Sequence, residues 1–128
     1  MSRIARVVIP GLPHHVEQRG NYHQKVFLTD DDRRHYLEIL AHEVDFYGAR
    51  VLAYCLLDNH VHFVIVPEME DSLSLIFNQA HMRYTQYFNH RLGETGHLWQ
   101  GRFASCVCEK NCCRRRSATS NAIPCAWD

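Results

Sequence analysis

The stretch Asn59-His60-Val61-His62-Phe63-Val64-Ile65-Val66 leaves this chain little local choice. Val, Ile and Phe dominate it, and such residues suit a pleated, buried strand. Side chains on a strand alternate faces, so His60 and His62 project one way while Val61, Phe63 and Ile65 project the other. Two imidazoles two residues apart on a rigid strand can share one divalent metal as neutral nitrogen ligands. The same pair can equally be two hydrogen-bonded histidines on a half-buried sheet face.

At 128 residues the chain suits one domain with a modest core, and 46% apolar content is ordinary for a globular protein. No apolar run is long enough to span a membrane, and the N-terminus lacks the apolar core of a signal peptide. A cytoplasmic protein is therefore expected. Formal net charge is zero with histidine neutral, so no global basic field points to nucleic acid, which leaves local arginines to line any groove. The cysteines are unevenly placed: Cys55 stands alone, while Cys106, Cys108, Cys112, Cys113 and Cys125 crowd the last 23 residues. A secreted disulfide scaffold would spread them through the fold, and Cys-x-Cys-x3-Cys-Cys is not the spacing of a structural zinc knuckle.

Pro10-Gly11-Leu12-Pro13 reads as a turn, His14 to Arg19 as a strand, and Gly20-Asn21 as a loop. Thr29 followed by Asp30-Asp31-Asp32 predicts a helix start, a cap and then acids that suit the positive N-terminus. Tyr36, Leu37, Leu40, Val44 and Tyr47 recur at helical spacing, and Gly48 is the stop. Arg50–Leu57 and His60–Val66 read as a hairpin. A second helix carries Leu73, Ile76, Phe77, Ala80, Tyr84, Tyr87 and Phe88 on one stripe, and Phe103–Cys108 is a fourth strand. The order β-α-β-β-α-β predicts an α+β, ferredoxin-like split βαβ fold: an antiparallel sheet with both helices on one face.

Four blocks then carry a resemblance. They are Gly11-Leu12-Pro13-His14-His15-Val16 with Arg19-Gly20-Asn21, Ala53-Tyr54-Cys55-Leu56-Leu57-Asp58-Asn59-His60-Val61-His62, Arg83-Tyr84-Thr85-Gln86-Tyr87-Phe88-Asn89, and Gly96-His97-Leu98-Trp99-Gln100-Gly101-Arg102-Phe103. Together, and in this order, they resemble the single-strand tyrosine transposases of the HUH superfamily, the IS200-like group and its REP-associated branch in particular. The resemblance implies a protein of DNA transposition that cuts and rejoins single-stranded DNA beside a folded, palindromic hairpin. It implies a tyrosine nucleophile that leaves a 5′-phosphotyrosine link, a Mg2+ or Mn2+ ion held by His60 and His62, and a homodimer. Covalent attachment would conserve the phosphodiester energy, and the metal would polarise the phosphate for a phenol that is a poor nucleophile near neutral pH.

The chain departs from that pattern at its end. No tyrosine follows Tyr87, and residues 111–125, where the resemblance places the nucleophile helix, read Asn-Cys-Cys-Arg-Arg-Arg-Ser-Ala-Thr-Ser-Asn-Ala-Ile-Pro-Cys. Tyr84 and Tyr87 lie on an apolar stripe, where packing is the expected role, so no residue here is assigned as catalytic. The genetic code offers an account. If each codon is re-read from the last base of one residue and the first two of the next, residues 117–126 permit V-R-Y-I-E-R-N-P-V-R, with a tyrosine and an asparagine four positions later. That one-turn spacing sets the two on one helix face. The expectation is a frameshift near residues 110–113, which divides the chain into an IS200-like catalytic core at 1–110 and an aberrant tail at 111–128 without selected structure. It also explains the cysteine cluster, and makes Arg114-Arg115-Arg116 accidental.

Further residues are expected at the DNA. Arg19 and Asn21 follow the first strand, where the resemblance places DNA-facing groups. His97 and Arg102 flank Trp99, which either stacks on a base while Arg102 pairs with phosphate, or anchors the core. Arg83, on the polar side of the second helix, is a candidate phosphate contact. Three readings follow: a metal-dependent single-strand DNA transposase whose nucleophile this product lacks, a non-catalytic DNA-binding remnant, and an unrelated ferredoxin-like metal-binding protein.

Overall fold

In the computed structural model, residues 8–108 are described in full and residues 125–127 by their backbone. Strand β1 (His14–Arg19) leads through a short 3-10 turn at Asn21–His23 to helix α1 (Asp30–Tyr47). The hairpin β2 (Ala49–Leu56) and β3 (His60–Pro67) follows, then helix α2 (Ser72–Leu92), β4 (Ala104–Val107) and β5 (Cys125–Trp127). The sheet order is β4-β1-β3-β2-β5, with every neighbouring pair antiparallel. Strands one to four in the order 4-1-3-2 are the split βαβ arrangement expected from the sequence.

The periodicities explain the layering. Along β3 burial alternates strictly, with Val61, Phe63 and Ile65 sealed and His60, His62 and Val64 half-buried on the other face. The sealed set packs with Val16, Tyr36, Leu40, Ile76, Phe77 and Tyr84 into the core beneath the two helices. The α1 start is a capping box: Asp32 N–H donates to Thr29 Oγ1 (3.1 Å), and Asp32 Oδ2 accepts from Thr29 N–H (3.2 Å). The three acids are not equivalent, however. Asp32 is fully buried and its carboxylate also takes Leu28 N–H, the Tyr87 hydroxyl and Arg91 Nη2. The first turn of α1 is thereby tied to the last turns of α2.

One element falls outside the sequence reading. The tail was expected to carry no selected structure, and within it Cys125–Trp127 pairs along the edge of β2, opposite Ala53–Cys55. An edge strand offers backbone donors and acceptors that any extended segment can take up, whatever its side chains. The expected nucleophile segment and the Arg114-Arg115-Arg116 run lie outside the described residues.

Candidate nucleic-acid interface

The helices cover one face of the sheet, and the chemistry sits on the other. Register sets it out: Glu17 lies opposite His62, Arg19 opposite His60, and His15 opposite Val64. Cross-strand partners share a face, so His15, Glu17 and Arg19 of β1 join His60 and His62 of β3. The two histidine rings lie 4.7 Å apart between centroids. His60 Nδ1 is 2.7 Å from Asn59 Oδ1. His62 Nδ1 is 3.1 Å from Nε2 of the buried His15 and 3.9 Å from Glu17 Oε1, while Arg19 Nε donates to Glu17 Oε2 at 2.9 Å.

Electrostatics favour a neutral His60 ring. Burial pushes the His60 imidazole down to about 4, the His62 and Arg19 charges push the same way, and Glu17 opposes them. A neutral ring at physiological pH is the form that binds a metal. With Nδ1 engaged on Asn59, the His60 nitrogen available to a cation is Nε2. The donor chemistry of the pair therefore fits a divalent ion. Among the described residues no group of three or more His, Cys, Asp or Glu side chains is arranged to hold one, so the described core supplies a two-nitrogen set.

The other expected residues divide into those beside the pair and those remote from it. Backbone bonds fasten the 97–102 loop to the end of β1: Gln100 N–H donates to the Arg19 carbonyl (2.8 Å) and Asn21 N–H to the Leu98 carbonyl (2.8 Å). Gly20 sits between these contacts, where a Cβ would run into the Gln24 carbonyl oxygen. Arg19, Asn21 and the exposed His97 and Arg102 thus lie on one rim, at the end of the sheet that carries His60. Arg83 is elsewhere. It lies in the helix layer across the sheet, 3.4 Å from Glu43 Oε1, and the structure does not bring it to the histidine pair.

Trp99 takes the packing role of the two left open by the sequence. It is 9% exposed and its ring stacks on His81 at 4.3 Å, so the expectation that it stacks on a DNA base is corrected. The tyrosines of α2 are also occupied: Tyr84 OH donates to the Val26 carbonyl (2.6 Å) and Tyr87 OH to Asp32 Oδ1 (3.0 Å). Burial, above all, raises both phenols above their ordinary range.

Three features escaped the sequence reading. His15 was quoted only as part of a motif, and Glu17 only as part of a strand. The cross-strand register with β3 makes them neighbours of His62, and register is not visible in one segment alone. Tyr22 is the third: it is 90% exposed, and both it and His23 adopt positive φ (54° and 59°), a costly backbone for residues other than glycine.

Comparisons with known proteins agree with this fold. The fold matches a REP-associated tyrosine transposase bound to a REP hairpin, at TM-score 0.66 and 20% identity over 91% of this chain and 68% of that one. It also matches a provisionally assigned transposase from Deinococcus radiodurans, at TM-score 0.65 and 15% identity over 91% of this chain and 94% of that one. A search of curated proteins gives no match. The profile of the family described as transposase, IS200-like, matches residues 10–116, which sets aside the reading as an unrelated metal-binding protein. This chain belongs to the IS200-like transposase family.

Proposed function

We propose that this chain recognises hairpin-forming single-stranded DNA on the face of its sheet opposite the helices, around His60 and His62, and that as translated it does not cleave what it binds. The observation that carries the reading is the convergence of both histidines with Arg19 on one rim, opposite the helices. A solved structure of similar fold carries a bound hairpin, which supports the same class of partner here. His60 and His62 would hold Mg2+ or Mn2+, and the bound ion would polarise a scissile phosphate. Arg19, Asn21, His97 and Arg102 supply donors to the backbone and bases of the strand, with no global positive charge to make binding indiscriminate. Arg83 would serve only a strand that wraps onto the helix layer. The working form is a cytoplasmic homodimer; among the described residues no helix is long and apolar enough to cross a membrane.

The lack of cleavage rests on the missing phenol. No tyrosine follows Tyr87, and Tyr84 and Tyr87 are bonded within the helix layer on the far side of the sheet. A frameshift near residues 110–113 accounts for the loss, and resequencing the coding DNA tests it; an intact frame without the tyrosine codon ends that account. For the protein itself, electrophoretic shift with hairpin oligonucleotides is paired with a cleavage assay in Mn2+. Shifted but uncut DNA is expected, while a chain with the restored frame cuts and retains a covalent 5′-phosphate. Cleavage by the present chain overturns the proposal.

A further inference from the structure

We propose that a cavity beside the rim is a nucleobase subsite, and that it takes one unpaired guanine of the bound strand. The inference rests on the DNA reading above and names a base that the strand carries. Three segments enclose about 380 Å3: residues 24–28 ahead of α1, the last turns of α2, and the loop at 94–98. Small-ligand sites begin at roughly 300 Å3, so one base with part of its sugar fits. Of the apolar lining residues, Phe88 and Leu98 are buried, while Leu28 and Leu92 stay 49% and 37% exposed. Apolar surface left open in a concave site gains by being covered, and the flat face of a base covers it. The cavity is continuous with the rim, because His97 belongs to both and Asn21 N–H donates to the Leu98 carbonyl at 2.8 Å. The costly backbone at Tyr22 and His23 runs directly into Gln24, a lining residue, and such strain concentrates where ligands are held.

The polar groups decide the base. Gln24 Nε2 donates to the His97 and Leu98 carbonyls (3.3 and 3.1 Å), so Oε1 is what this amide offers a ligand. Asn89 Nδ2 donates to the Gly96 carbonyl (3.0 Å), which leaves Oδ1 as an acceptor. The exposed Glu94 adds a carboxylate, again acceptors without a donor. An acid works against binding of phosphate, so its place in a DNA groove calls for a partner with N–H groups. Adenine, cytosine and thymine each set an acceptor beside the donor on their pairing edges, and that acceptor is repelled here. Guanine alone presents two adjacent donors, N1–H and the N2 amino group, which one carboxylate accepts in parallel. The Lys25 ammonium, at the same cavity, suits the phosphate that accompanies the base.

Fluorescence anisotropy of the full chain tests this with hairpin oligonucleotides that carry an unpaired extension of four thymidines at either end. In further probes one guanine, adenine or hypoxanthine base replaces a thymine at each position in turn. Guanine at one position is expected to tighten binding about 10- to 100-fold, adenine not at all, and hypoxanthine, which lacks the N2 amino group, by less. Glu94→Gln, at an exposed position, should remove most of the guanine gain. A purely electrostatic effect of the acid has the other sign, since losing a negative charge tightens every probe alike. Methyl NMR with labelled leucine reads the place: Leu28 and Leu92 shift with the guanine probe and with 2′-deoxyguanosine 5′-monophosphate. Hairpins bound equally well with every extension, or a guanine gain that survives Glu94→Gln, overturn the subsite and leave the DNA reading standing. Leu28 and Leu92 signals that neither guanine ligand moves overturn the subsite in every case. A chain that ignores all hairpins, yet shifts Leu28 and Leu92 with the mononucleotide, supports the subsite and overturns the DNA reading instead.

Discussion

The Tyr36 hydroxyl lies 2.8 Å from Nε2 of His81, deep under the sheet, with the Trp99 ring against the other side of the imidazole. Burial pushes this histidine down to about 3, so it stays neutral in the fold. Unfolded, it titrates near 6.5. The unfolded chain therefore binds the extra proton first as pH falls. The stabilising contribution is whole above 6.5, erodes below it, and is gone near 3. His60, lowered to about 4, adds to the same slope over a shorter window. Urea midpoints are expected to fall steadily between pH 7 and pH 4.5, and His81→Gln should make that fall shallower.

Asp32 carries a second pH-sensitive load. Burial raises its carboxyl, but the Leu28 amide, the Tyr87 hydroxyl, Arg91 and the Thr29 amide together outweigh that and hold it below the usual range. Its contribution is present above 3.8 and is lost as the carboxylate is protonated below that value. Asp32→Asn should cost about 2–3 kcal/mol, because charge-assisted bonds to buried donors are lost while the partly exposed Arg91 can rehydrate. Chemical denaturation at pH 7 measures this.

Trp99→Ala should lower stability by about 3–5 kcal/mol through the cavity it leaves against Tyr36, His81 and Tyr84. Trp99→Phe should retain hairpin binding at temperatures where the fold persists. Loss of binding in a stably folded Trp99→Phe variant would restore a direct contact with DNA.

Tyr22 should behave in the opposite way. Removing a side chain that is 90% exposed leaves the melting temperature within about 2 °C, since surface changes fall within about 0.5 kcal/mol. If the ring forms a platform for an unpaired base beside Arg19, Tyr22→Ala weakens hairpin binding by about 1–3 kcal/mol. Fluorescence quenching of a base analogue placed in the strand follows the contact.

The elements could be read from the sequence because their signals are local. Alternation at 60–66 put two histidines on one side, Thr29 and Gly48 bracketed α1, and the stripe from Leu73 to Phe88 marked α2. Pairing was harder. The companionship of His15 and Glu17 with His62 depends on how β1 slides along β3, and a shift of one residue would have sent both to the helix side. Trp99 and Arg102 stand three residues apart in one loop, yet one is in the core and the other in solvent, a division that loop composition does not encode. Asp32 looked like any acid at a helix start until Arg91, 59 positions later, closed over it.

The lopsided layering has a consequence for the proposed function. Among the described residues the apolar core packs beneath the helices, whereas the histidine pair lies on the opposite face of the sheet. If that face takes up DNA as proposed, a chain without the nucleophile would still occupy hairpins that an intact copy would otherwise cut.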